Sequence, residues 1–119
     1  MTDFLGQHWL IEYYDCDAQL LADPVQIEVY MQRAAELMQA TIVTSTFHHF
    51  SPLGVSGVVV IQESHLTIHT WPEHSYAAVD IFTCGEIDME AGVEFLKKYL
   101  TATGMEIIKQ QRGGKDKFR

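Results

Sequence analysis

A continuous apolar run followed by a strictly alternating segment constrains the fold of this chain most strongly. Residues 58–61 (VVVI) are typical of a strand buried on both faces. In residues 65–71, Leu66 and Ile68 alternate with polar side chains, which predicts a strand with one face toward a core. The opposite face of that strand then carries His65, Thr67, His69 and Trp71.

Helical and β-rich segments surround this pair. Further strands are predicted at residues 8–15, 41–50, 76–84 and 105–109. Asp23 and Pro24 begin one helix as N-cap and first helical residue, while Asp88 begins a second helix that Gly104 ends. The order β-α-β-β-β-β-α-β predicts an α+β fold, a two-layer α/β sandwich whose mainly antiparallel sheet has two helices on one face. Apolar side chains on the inner face of the first helix are Ile27, Met31, Ala34, Ala35 and Met38.

The length and charge of the chain limit the class of protein. The 119 residues suit a single domain, and a net charge of −8 argues against a nucleic-acid partner. Neither a secretory signal nor an apolar run of about 20 residues is visible, so we expect a soluble cytoplasmic protein without a membrane partner. Because Trp71 and residues 58–61 would leave the second sheet face apolar, we expect that face to pack on a second copy.

Simple catalytic motifs do not account for the histidines and the serine in this region. His65 and His69 would lie about 13 Å apart along a strand, too far for one zinc ion, and no metal-binding motif is present. Ser64 lacks the Gly-x-Ser-x-Gly elbow of hydrolases. Residues 62–64 also lack the glycine or asparagine that usually closes a tight hairpin. These patterns alone favour the interpretation of Ser64 as a polar residue at a strand edge.

Four segments together carry a family resemblance: residues 47–50 (FHHF), 54–57 (GVSG), 63–73 (ESHLTIHTWPE) and 80–85 (DIFTCG). They resemble the small prokaryotic S-adenosylmethionine decarboxylases, and the similarity spans nearly the whole chain. The resemblance implies a proenzyme that cleaves itself between Glu63 and Ser64. It predicts a β chain of residues 1–63 and an α chain of residues 64–119 that begins with a pyruvoyl group made from Ser64.

The resemblance also implies roles for individual residues. Ser64 supplies the pyruvoyl cofactor that forms a Schiff base with substrate, while His69 and Ser56 assist self-cleavage. Cys84 is the proton donor of turnover, a role that suits a thiol protonated at neutral pH. Phe50 would stack on adenine and Glu73 would bind the ribose hydroxyls. The active sites are expected at the interface of a homodimer of processed protomers.

The implied reaction converts S-adenosylmethionine to its decarboxylated form, the aminopropyl donor for spermidine synthesis, and carbon dioxide. An alternative is a pyruvoyl-dependent arginine or ornithine decarboxylase of the same fold. That enzyme would keep Ser64, His69 and Cys84 but should lack nucleoside contacts, so Phe50 and Glu73 favour the first reading. A third possibility, an unprocessed paralogue that regulates an active partner, is disfavoured because the maturation residues are all present.

Overall fold

The computed structural model describes residues 3–50 and 53–118. These residues form one six-stranded antiparallel sheet in the order β2-β3-β4-β5-β1-β6. The strands are β1 (Phe4–Tyr14), β2 (Ile42–His49), β3 (Val55–Ile61), β4 (Ser64–Trp71), β5 (Tyr76–Thr83) and β6 (Gly104–Gly114). The α-helices are α1 (Ala18–Leu21), α2 (Pro24–Leu37) and α3 (Met89–Tyr99).

Both predicted helices form and begin at the predicted caps. The Asp23 carboxylate accepts hydrogen bonds from the backbone N–H groups of Val25 and Gln26, and Asp88 accepts one from Ala91. These bonds satisfy N–H groups that have no partner within the helix. The predicted inner face of α2 is completely buried: Ile27, Met31, Ala34, Ala35 and Met38.

The alternation in β4 has the predicted outcome. Leu66 and Ile68 are fully buried under the helices, whereas His69 and Trp71 are exposed on the other face. The predicted two-layer α+β sandwich is therefore confirmed. Residues 58–61 differ from the expectation, because Val58 and Val60 are only half-buried in a single chain. We call the side of the sheet that has no helices on it the open face.

Several element boundaries were predicted wrongly. Strand β6 extends to Gly114 rather than residue 109 because it pairs with β1 along almost its whole length. Helix α3 ends at Tyr99, before Gly104, and Thr101 takes a φ of +60° just beyond that end. The four-residue helix α1 is too short to give a periodic signal. Within the described ranges, no helix has the length and hydropathy needed to cross a membrane.

Candidate active site

The connection between β3 and β4 is a tight hairpin with an unusual backbone conformation. Gln62 and Glu63 form the turn, and Ile61 pairs with Ser64 across it. A tight turn therefore forms without glycine or asparagine. Ser64 has a φ of 152°, in a region that residues with a side chain rarely adopt. Such a conformation persists only where the surrounding structure holds it, and it stores strain beside the Glu63–Ser64 peptide bond.

The carbonyl group of that peptide bond has two donors from one residue. The Glu63 oxygen accepts a hydrogen bond of 2.8 Å from the Cys84 backbone N–H and one of 3.2 Å from the Cys84 thiol. Cys84 reaches this position because it follows β5, which pairs with β4 so that Ser64 lies opposite Thr83. Two donors on one carbonyl oxygen stabilise negative charge that develops there, as in an oxyanion hole.

The two cysteines differ in their surroundings. Cys84 is exposed at the end of β5, whereas Cys16 is 4% exposed in the core. Burial raises the pKa of Cys16 to about 11, and the charge of Asp15 adds to the effect. Cys16 is therefore an inert structural thiol at neutral pH.

Ser56 and His69 form a hydrogen-bonded pair toward the other end of the hairpin. They lie opposite each other on β3 and β4, and Ser56 Oγ is 2.8 Å from His69 Nδ1. His48 extends this pair to a third strand, and the sequence analysis did not single it out. His48 pairs with Ser56 from β2, and its ring meets Phe50 edge-on at a centroid distance of 4.5 Å. The β2–β3 register places His48 opposite Ser56, and sequence spacing alone does not reveal that pairing.

A cavity of about 310 Å³ opens beside the Ser56–His69 pair. Phe50, which is 52% exposed, and Glu73, in the short turn after β4, both line it. Trp71 also lines the cavity, although the sequence indicated interface packing for it instead. Four predicted site residues thus share one cavity: Phe50, Ser56, His69 and Glu73.

The Glu63–Ser64 bond does not belong to that group within one chain. His69 lies five residues along β4 from Ser64, which corresponds to about 16 Å. Cys84 lines a different cavity, of about 440 Å³, together with Gly6, Gln7 and Gly85. The predicted residues therefore form two separate sets, one around the Glu63–Ser64 bond and one around His69.

The open face carries a small polar network between these sets. His8 Nε2 lies 3.2 Å from Asp80 Oδ1, and the Thr67 hydroxyl donates a bond of 3.3 Å to the other Asp80 oxygen. Partial burial lowers the pKa of His65, and the charge of His8 acts in the same direction against the pull of Asp80. Among the residues that the structure describes, no three His, Cys, Asp or Glu side chains are grouped so that they could hold a metal ion.

Comparison with solved structures defines the class of fold. The chain is similar to the crystal structure of the adenosylmethionine decarboxylase from Aquifex aeolicus, with a TM-score of 0.87 and 31% identity over 94% of this chain and 93% of that one. The AdoMetDC-delta26 monomer of Trypanosoma brucei has the same fold at 12% identity, with a TM-score of 0.64 over 87% of this chain and 45% of that one. The sheet and its helices thus have the adenosylmethionine decarboxylase fold.

Sequence comparison gives the family. Residues 7–113 match the family model of S-adenosylmethionine decarboxylase. The S-adenosylmethionine decarboxylase proenzyme of Thermotoga maritima is 54% identical over 115 residues, which cover 96% of this chain and 88% of the relative. The corresponding proenzyme of Acidithiobacillus ferrooxidans is 47% identical over 94% of this chain and 85% of its own. The chain belongs to the S-adenosylmethionine decarboxylase family, which confirms the resemblance noted in its sequence.

Proposed function

We propose that this chain is a self-processing, pyruvoyl-dependent decarboxylase that converts S-adenosylmethionine to decarboxylated S-adenosylmethionine and carbon dioxide. One observation carries the proposal: the Glu63 carbonyl, at a strained junction, accepts two hydrogen bonds from Cys84. The proenzyme names of the close relatives support self-processing. The product would serve as the aminopropyl donor for spermidine synthesis in the cytoplasm.

Self-cleavage follows from the chemistry of the Glu63–Ser64 bond. Ser64 Oγ attacks the Glu63 carbonyl carbon, and the oxygen that gains negative charge is the one that Cys84 contacts. The Ser64 nitrogen takes a proton and leaves, so an ester replaces the amide. A base then removes the Ser64 α-proton, which releases the Glu63 carboxylate and leaves dehydroalanine. Its imine tautomer takes up water and loses ammonia, which produces the pyruvoyl group at residue 64.

The residues at this junction fit a pyruvoyl group. Position 64 is a serine, the residue that this chemistry requires, and the Cys84 thiol is exposed beside it. The pyruvoyl group supplies a carbonyl that bonds the substrate amine and takes up the electrons released with carbon dioxide, the task that pyridoxal phosphate performs elsewhere. The substrate α-carbon must then gain a proton. Cys84 is the proposed donor because its thiol lies 3.2 Å from the carbonyl oxygen of the bond that is cut.

The cavity beside His69 is the proposed nucleoside site. Phe50 offers an exposed aromatic face for adenine, and the Glu73 carboxylate can accept hydrogen bonds from two ribose hydroxyls. Phe50 and Trp71 also present rings that tolerate the positive sulfonium of the substrate. Arginine and ornithine contain neither an adenine ring to stack on Phe50 nor ribose hydroxyls to bind Glu73. These contacts therefore favour S-adenosylmethionine over the alternative substrates.

A homodimer joins the two sets of residues. In one chain, about 16 Å of strand separates His69 from Ser64, so His69 cannot handle the Ser64 proton there. Apolar side chains on the open face, including Leu10 and the stacked pair Trp71 and Tyr76, remain partly exposed. A second copy packed on that face would bury them and could bring its own Ser56–His69 pair to the first copy's scissile bond.

Complementation tests this shared site. The Ser64→Ala and His69→Ala variants should each stay uncut when produced alone. Produced together in equal amounts, they should form mixed dimers with one intact site, so about half of the His69→Ala chains should be cut. No cutting in the mixture, with mixed dimers verified by differential tags, would contradict the shared site.

Carbon dioxide release from three labelled substrates tests the reaction itself. The processed protein should decarboxylate S-adenosylmethionine and leave arginine and ornithine unchanged. Release from arginine or ornithine, without release from S-adenosylmethionine, would assign the chain to the alternative reaction. A matched Ser64→Ala protein gives the background rate.

A further inference from the structure

The Glu63 side chain, as well as its carbonyl group, is held in place. Glu63 Oε1 accepts a hydrogen bond of 3.1 Å from the backbone N–H of Thr41, the residue before β2. The Gln62 N–H in turn donates to the Thr41 carbonyl at 2.8 Å. The main-chain oxygen of Glu63 is bound from the opposite side by Cys84, which follows β5. The turn is therefore held from both strands that flank the β3–β4 hairpin.

Gly85 restricts the same side chain from a third direction. A Cβ atom at position 85 would lie 2.8 Å from Glu63 Cγ and 3.3 Å from Glu63 Cβ. Real Cβ atoms do not approach a neighbouring carbon as closely as 2.8 Å. The glutamate stem therefore crosses the backbone at Gly85, where a larger residue would push it away from Thr41.

We propose that Glu63 is a positioning residue for self-cleavage, which acts through the reach of its side chain to the Thr41 N–H rather than through its charge. The inference rests on the proposed self-processing function. The bond to Thr41 fixes the turn, the turn fixes the Glu63 carbonyl under the Cys84 donors, and this arrangement holds Ser64 at its strained φ. A turn without the Thr41 bond relaxes, and the productive geometry is then populated less often.

Three substitutions at position 63 separate reach from charge. Glu63→Gln keeps an oxygen at the same distance, so its cleavage rate should stay within about twofold of the native rate. Glu63→Asp keeps the charge but is one methylene too short, and Glu63→Ala loses the group. Both should cleave about five- to tenfold more slowly, as expected for one lost hydrogen bond. The full chain is made by cell-free translation, and cleavage is followed over time by intact mass. The neighbouring exposed Gln62→Ala is the matched control.

The opposite order, a fast Glu63→Asp and a slow Glu63→Gln, would show that charge acts instead of reach and would overturn the proposal. Native-rate cleavage of Glu63→Ala would overturn it as well. A native chain that never cleaves would refute self-processing itself, whereas a cleaved native chain with unaffected variants would refute only the role of Glu63. If Glu63→Ala does not fold, the Asp and Gln variants decide the question.

Thr41→Pro provides a second test, because it removes the N–H and keeps the carbonyl that Gln62 binds. It should slow the native chain by the same five- to tenfold factor, and it should not slow Glu63→Ala further. Independent, multiplicative effects of the two changes would contradict a direct bond. Unfolding temperatures of the same variants in an uncut Ser64→Ala background separate a general loss of stability from a specific loss of cleavage.

Discussion

Replacement of Cys84 by alanine should affect self-cleavage and turnover to very different degrees. The change removes the thiol contact of 3.2 Å to the Glu63 oxygen and leaves the backbone N–H bond of 2.8 Å in place. A thiol is a weak donor. We therefore expect self-cleavage of Cys84→Ala to slow by about three- to tenfold and still reach completion, since most of the stabilisation of the oxygen comes from the main chain.

In turnover, by contrast, no main-chain group can take the place of the Cys84 thiol. A positioned proton donor contributes about 10²- to 10⁴-fold to a rate. No other thiol can replace Cys84, because Cys16 is buried and its pKa is raised to about 11. The decarboxylation rate per cut chain should therefore fall by at least about a hundredfold in Cys84→Ala.

Both quantities can be measured on one preparation. Intact mass gives the fraction of cut chains over time, and release of labelled carbon dioxide from S-adenosylmethionine, divided by that fraction, gives turnover. Cys16→Ala is the matched control and should retain native values for both. A fully cut Cys84→Ala protein that turns over at the native rate would refute the role of Cys84 as the acid.

Three further predictions concern substrate binding and stability. Glu73→Gln should raise KM for S-adenosylmethionine about tenfold with little change in the rate of self-cleavage, because one charged hydrogen-bond acceptor to the ribose is weakened; an unchanged KM would remove Glu73 from the site. The pKa of His65 lies below its ordinary value of 6.5, so the His65 imidazole binds a proton more readily in the unfolded chain than in the folded one. The free energy of unfolding should therefore decline as the pH falls below 6.5. His65→Gln should flatten that decline in urea titrations of uncut protein. Tyr13→Phe should lower the free energy of unfolding by about 1 kcal/mol, because the buried hydroxyl donates to the Val93 carbonyl at 2.8 Å, and an unchanged urea midpoint would contradict this.

The layers of the fold could be predicted because local patterns determine them. Alternation placed Leu66 and Ile68 under the helices, and the caps at Asp23 and Asp88 set the helix starts. Strand lengths were less predictable, since pairing partners that are distant in sequence set them, as β1 does for β6.

The chemistry at the cleavage junction depends on such distant pairing. Cys84 is 21 residues from Glu63, and only the β4–β5 register brings its N–H and thiol to one carbonyl oxygen. The bond from Thr41 to Glu63 and the φ of Ser64 likewise have no local sequence signal. The resemblance predicts which residues form the site, and the structure places them in two sets about 16 Å apart along β4.

Intact mass of the purified native chain tests the central claim most directly. We predict two fragments, residues 1–63 and residues 64–119, with the second lighter by one ammonia than simple hydrolysis would leave it and blocked to Edman degradation. Ser64→Ala should show one uncut chain. A native protein that remains a single chain, or whose second fragment begins with an unmodified serine, would contradict the account.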